Sequence, residues 1–139
     1  MLMHDRIIET GEQEDGSYNF DHLFANVKDL FRKLVESGKK RAGQVELVRD
    51  LVEGSKEKYV VVCGDFNDTP GTYTYETLKG NLKDGFQTAG EGFASTYKGM
   101  KNLLRIDYIF HSSNLSGVDY KTIDFEMSDH NPVVMTLSL

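Results

Sequence analysis

The 139 residues are 39% hydrophobic and 27% charged, the make-up of one soluble globular domain, which excludes disordered, collagenous and disulfide-stapled chains. Sixteen Lys and Arg against 22 Asp and Glu leave a net charge of −6, so the chain as a whole is no basic clamp for nucleic acid. A single cysteine, Cys63, rules out an intrachain disulfide and a Cys-rich zinc site, and no run reaches the roughly 18 to 20 apolar residues of a membrane span.

Met1 to Gly11 lacks the basic and apolar blocks of a signal peptide, which makes a cytoplasmic setting the default expectation. Residues 1–20 read as a loop-like lead-in to a single domain over 1–139, because Glu9 to Asn19 is polar, acidic and without apolar periodicity. From Asp21, the apolar positions Leu23, Phe24, Val27, Leu30, Phe31, Leu34 and Val35 follow helical spacing and predict a helix to about Ser37, stopped by Ser37-Gly38. A second helix is expected with Ala42, Val45, Val48, Leu51 and Val52 inward and Gly54 as its cap.

Tyr59 to Cys63 is a β-branched apolar run without alternation, which predicts a strand buried on both faces in mid-sheet. Asp65 to Thr72 is turn-like, and Thr72 to Lys79 predicts a short helix ended by Gly80. Ala94–Lys98, Leu103–Phe110, Val118–Phe125 and Pro132–Leu139 then read as short strands between polar turns. Helices early and strands late make an α/β (α+β) sandwich layout, with no internal repeat or low-complexity segment.

Three acidic clusters stand at predicted strands: Gly64-Asp65-Phe66-Asn67-Asp68, Arg105-Ile106-Asp107-Tyr108, and Ser128-Asp129-His130-Asn131-Pro132. Asp65, Asn67, Asp107 and Asp129 offer the oxygen ligands that a hard cation such as Mg²⁺ needs. The i, i+2 spacing of Asp65 and Asn67 on an extended segment sets an anion and an amide donor on one side of the backbone. His130 is the group in its cluster that titrates near neutrality, and a carboxylate such as Asp107 on an adjacent strand would fix its tautomer and raise its basicity. Simpler roles also exist: Asp-x-Asn after a strand is a common turn former, whereas Asp107, set in an apolar run, carries a desolvation cost that signals a partner or a site.

Taken together, Val-Val-Cys-Gly-Asp-Phe-Asn-Asp-Thr-Pro (61–70), Arg-Ile-Asp-Tyr-Ile-Phe (105–110) and Ser-Asp-His-Asn-Pro-Val (128–133), in this order, closely resemble the endonuclease/exonuclease/phosphatase superfamily of metal-dependent phosphoesterases. Arg41-x-x-Gln44 also resembles the family's pattern ahead of the Gly-Asp-Phe-Asn strand. The resemblance implies part of a DNase I-like four-layer α/β sandwich, mainly antiparallel sheet with flanking helices, and Mg²⁺- or Mn²⁺-assisted hydrolysis of a phosphate ester. It implies Asp65 orienting or deprotonating the attacking water, Asn67 bonding the phosphoryl group, His130 facing the scissile phosphate with Asp107 behind it, and Asp129, with Asp65, at the metal. Ser95 and Thr96 resemble a polar family position near the site and rank below these.

The match covers the family's C-terminal half. The N-terminal half supplies in the family a first-strand Asn, the Glu that is the principal Mg²⁺ ligand, and a second His. Glu9, Glu12 and Glu14 match none of those contexts, His4 and His22 are poor stand-ins, His22 reads as a surface or capping residue, and His111 as a loop residue. Half a sandwich exposes an apolar face, so the expectation is a truncated domain or pairing with another copy or another polypeptide. Three readings therefore stand: a phosphoesterase acting on nucleic acid, a lipid head group or a sugar phosphate; a non-catalytic fragment or assembly module of that family; and a plain Ca²⁺- or phosphate-binding module in which Asp65 and Asp129 bind metal without turnover. Lys98, Lys101 and Arg105 form the one basic cluster beside a motif.

Overall fold

The structure, a computed structural model, describes residues 16–139. Expectations for His4, Glu9, Glu12 and Glu14 lie outside these, and so does the side chain of His22. The chain divides into two compact units, Met1–Lys40 and Arg41–Leu139. Helix α1 runs without interruption over Gly16–Gly54, so one helix replaces the expected two, and Gly16–Asn19, expected as loop, is helical. An interior glycine costs only about 1 kcal/mol, and Gly38 is followed by the strong helix formers Lys39, Lys40, Arg41 and Ala42, so the hydrogen-bond ladder passes through it.

In the second unit, β1 (Val61–Asp65), β2 (Lys83–Asp84) and β3 (Asp107–His111) form an antiparallel sheet in the order β1-β3-β2. Strands β4 (Ser116–Thr122) and β5 (Val133–Ser138) pair antiparallel in a second sheet. Helix α2 (Tyr73–Lys79) starts at Thr72, whose hydroxyl accepts the Tyr75 N–H, and ends at Gly80, as its sequence predicts. A further short helix, α3 (Gly85–Ala89), is capped by Asp84 and was not legible in the sequence. Gly85 permits the close approach there: a Cβ would lie 2.9 Å from the Ile109 carbonyl and 2.5 Å from Met135 Sδ.

The core joins Val45 of α1, Tyr75 and Leu78 of α2, Leu82, and Tyr108 and Phe110 of β3, with Val62 and Phe66 packed against it. Tyr108 and Phe110 share a face of β3 with ring centroids 5.4 Å apart, and Tyr75 meets both rings edge-on. Strand β1 departs from expectation: Val62 is half-buried, whereas Val61, Cys63, Gly64 and Asp65 are exposed. Among the described residues it pairs with β3 alone, so it is an edge strand covered on one face. An unalternating apolar run records that a strand is apolar on both faces, not that both are covered.

Three further expectations are corrected. Ala94–Lys98 is no strand but an extended segment touching Leu104 and His130 by isolated bridges at Tyr97. The strand expected over Leu103–Phe110 begins at Asp107, where the Thr96 hydroxyl takes up the N–H groups of Ile106 and Asp107. His111 ends β3 and is fully buried, with Nε2 2.9 Å from the Thr88 hydroxyl and Nδ1 3.0 Å from the Ser112 carbonyl, a satisfied core histidine rather than a loop residue.

Candidate active site

The antiparallel register places Asp65, the last residue of β1, directly opposite Asp107, the first of β3. Like charges facing each other across a ladder are unfavourable without a cation between them. His130 supplies one from the segment before β5: its Nδ1 lies 2.9 Å from Asp107 Oδ2 and its Nε2 3.7 Å from Asp65 Oδ2. Carboxylate and imidazole ligand atoms of these three residues all lie within 4.8 Å of one another. The hydrogen bond to Asp107 raises the His130 pKa above its ordinary value against a smaller opposing effect of burial, and the charges of Asp65 and Asp129 add to the rise.

Each of these side chains is held by local structure. Asp65 Oδ1 accepts the Asn67 N–H at 3.0 Å, an Asx turn that lets Asn67 adopt a left-handed φ of 54°. The turn-forming and functional readings of Asp65 and Asn67 are thus compatible. Thr96, fully buried, accepts the N–H groups of Ile106 at 2.9 Å and Asp107 at 3.1 Å on one hydroxyl, and Ser95 donates to the carbonyls of Tyr97 and Leu104. These two support the start of β3 and do not face the cleft. Ser128 accepts the His130 N–H at 3.1 Å, and the Tyr97 ring lies 5.3 Å from the imidazole.

Asp129 is exposed and stands outside the three-residue cluster; its carbonyl accepts the Lys98 N–H. Lys98 also holds the segment ahead of His130 through its ammonium group, on the Phe125 carbonyl and Asp124. Arg105 is partly buried and paired, not a free surface cation: Nη1 contacts both oxygens of Asp84, at 3.0 and 2.8 Å, and the guanidinium sits 4.8 Å over the rings of Phe86 and Tyr108. Burial is the largest single effect on Arg105 and opposes its charge, but the hydrogen bond and charge of Asp84, with smaller help from Tyr108 and Tyr120, together outweigh it, so the pKa rises. The expected basic cluster therefore reduces to Lys101 as its remaining exposed and unpaired member among the described residues.

A cleft of about 410 Å³ is lined by Asp65, Asp107 and His130 together with Cys63, Ile109 and Phe125. A carboxylate–imidazole–carboxylate group at its wall, with Asp65 exposed and Asp107 and His130 half-buried, can pass a proton and orient a water or an anion.

The sequence pattern of the Endonuclease/Exonuclease/phosphatase family matches residues 13–130. The chain belongs to the Endonuclease/Exonuclease/phosphatase family. Its structure is similar to that of a mannosyl-6-phosphatase from Bacteroides thetaiotaomicron, with 23% identity and a TM-score of 0.59 over 73% of this chain and 46% of that one. An endonuclease/exonuclease/phosphatase family protein of the same organism matches at 24% identity and a TM-score of 0.59, over 71% and 45% of the two chains. A third, the endonuclease/exonuclease/phosphatase from Bacteroides vulgatus, matches at 29% and 0.58, over 73% and 44%. This chain spans less than half the length of these structures. No curated protein matches it in sequence.

Its mixed helices and antiparallel sheets are those of the DNase I-like α/β fold, and the Endonuclease/Exonuclease/phosphatase family is one of phosphoesterases. No described helix is long and apolar enough to cross a membrane. The sequence reading missed the supporting residues Tyr97, Ser128 and Asp84. Ser128 had a local signal, a hydroxyl two residues before His130, whereas Tyr97 and Asp84 had none.

Proposed function

We propose that this chain carries the water-activating and phosphate-facing part of a divalent-cation-assisted phosphoesterase that hydrolyses a phosphodiester or phosphomonoester. The observation that carries this reading is the His130 imidazole between Asp107 at 2.9 Å and Asp65 at 3.7 Å. Asp107 accepts the Nδ1 proton and fixes the tautomer, which turns Nε2 toward Asp65. At 3.7 Å those two atoms share no hydrogen bond, so both remain available to a water or a phosphoryl oxygen.

In this reading Asp65 orients the water and takes its proton as the water oxygen bonds to phosphorus. The P–O ester bond breaks and the leaving oxygen takes a proton from the medium. His130 meets the charge that builds on the phosphoryl group, and the Asn67 amide donates to it. The donor set fits a hard cation. Asp65 and Asp107 face each other, and among the described residues neither pairs with a Lys or Arg. Asp65 and, by the family resemblance, Asp129 would hold Mg²⁺ or Mn²⁺, with Asp107 as the carboxylate next to Asp65. Such an ion, when bound, neutralises phosphoryl charge in the transition state.

Among the described residues no Lys or Arg lines the cleft, which favours a small phosphate ester, a sugar phosphate or lipid head group, over nucleic acid. A sugar phosphate also accords with the name of the Bacteroides thetaiotaomicron neighbour. The second reading is a non-catalytic or assembly module of the family. The exposed edge strand β1 favours it, since a covering half or a second copy would complete the sheet.

Hydrolysis of an activated phosphodiester and of a sugar phosphate, with Mg²⁺ or Mn²⁺ and with chelator, decides between them. Metal-dependent turnover abolished in His130→Ala supports the enzyme. A folded sample without turnover supports the module. Binding that weakens steeply with salt would restore nucleic acid as the substrate.

A further inference from the structure

We infer that Tyr108 and Arg41 are positioning residues that fix Asn67 by gripping Asp68 from two sides. The inference rests on the proposed role of Asn67 as a phosphoryl donor and assigns what holds that amide in place. Asn67 needs holding: it is exposed, its φ of 54° is a conformation that side-chain-bearing residues adopt at a cost, and among the described residues its amide group bonds to no other side chain.

On the upstream flank the chain is tied to β3 by the Asp65–Asp107 register and by the Phe66 N–H, which donates to the Ile106 carbonyl at 3.0 Å. Downstream, Asp68 is gripped twice. The Tyr108 hydroxyl lies 2.8 Å from the Asp68 carbonyl and 2.6 Å from that of Arg105, and shares its proton between them. From α1, Arg41 Nε lies 3.4 Å from Asp68 Oδ2, an ion pair without an aligned hydrogen bond. Tyr108 is itself immobile, 1% exposed with its ring stacked on Phe66 and Phe110. Both flanks of Asn67 thereby refer to β3, the strand that carries Asp107, the partner of His130. Arg41, singled out in the sequence by its family-like pattern, acquires a physical role.

The test uses the full 139-residue chain and reads amide hydrogen exchange at Phe66 and Asn67 in Tyr108→Phe, Asp68→Asn, Arg41→Ala and Arg41→Lys. Tyr108→Phe keeps the ring and its packing, and Asp68→Asn keeps the carbonyl, so each removes one of the two grips on Asp68, the former together with the bond to the Arg105 carbonyl. Expected is a rise of about five- to tenfold at Asn67 in the first three variants, with the β3 amides of Ile109 and Phe110 unchanged, and recovery in Arg41→Lys. Where the wild type turns over, kcat falls by about ten- to a hundredfold in the same variants at constant KM. Unchanged exchange at Asn67 in both Tyr108→Phe and Asp68→Asn would overturn the inference, as would a rise spread equally over β3. Absence of turnover in the wild type rejects the phosphoesterase reading and leaves the exchange data to decide on the grip.

Discussion

Thr96 and Asp107 are joined by one hydrogen bond at the start of β3: the buried Thr96 hydroxyl accepts the Asp107 N–H at 3.1 Å and, at the same time, the N–H of Ile106 at 2.9 Å. Replacing Thr96 by Val keeps the shape and strands both donors in a dry environment. The expected loss is about 2 kcal/mol, read as a lower denaturant midpoint at an unchanged slope. Thr96→Ser, which keeps the acceptor, recovers most of it.

The Asp107 hydrogen bond sets the His130 titration. Asp107→Asn keeps an acceptor oxygen but removes the charge, so the imidazole pKa, raised in the wild type, falls toward its ordinary value. The direction fixes the linkage. A raised folded pKa gives stability that is fully present below the unfolded value of about 6.5 and is lost as pH rises through the folded pKa. Proton NMR of the imidazole resonances against pH measures the shift, and an unmoved midpoint in Asp107→Asn would remove Asp107 as its cause.

Arg105 and Asp84 form a pair that folding has already desolvated, with the Asp84 side chain at 0% exposure and Arg105 at 11%. Tyr75 and the Phe86 N–H complete the carboxylate's partners. Arg105→Met leaves that carboxylate buried without a cation, for an expected loss of about 3 to 5 kcal/mol in chemical denaturation. Asp84→Asn combined with Arg105→Met loses less than the single Arg105 change, because no buried charge is then left over.

Burial pushes the phenol of Tyr120 up to about 12, and it raises those of Tyr75 and Tyr108 as well, the former also through the Asp84 carboxylate. The unfolded chain ionises these near pH 10 and then binds fewer protons than the native one, so stability falls as pH rises above about 10. Tyrosinate absorbance is expected to rise in two stages. Exposed phenols ionise first, and the three buried ones follow together with loss of near-UV ellipticity. Ionisation of all the tyrosines in a single stage near pH 10, with the fold intact, would contradict the burial.

How much of this was legible in the sequence varies with the range of the interaction. Thr72 and Gly80 marked the ends of α2 correctly, because capping is a contact over a few residues. Ser37-Gly38 misled for the same reason: the local stop signal was real but weaker than the helix formers on its C-terminal side. Extended segments fared worse. The apolar run ending at Cys63 reads as a strand covered on both faces, and only the register showed, among the described residues, an edge strand with one covered face.

What the sequence by itself determined is the chemistry present: the residue types of Asp65, Asn67, Asp107 and His130 in motifs that resemble one family, and a mixed α/β layout. What only tertiary structure decided is their meeting. The β1–β3 register sets Asp65 against Asp107, the segment before β5 sets His130 between them, and the buried Asp84 holds Arg105 in an ion pair instead of leaving it a free surface cation. The physical reason is that motifs record local requirements along the chain. Pairing between strands separated by dozens of residues, and the desolvation that decides whether a charge faces water or a partner, are properties of the packed whole.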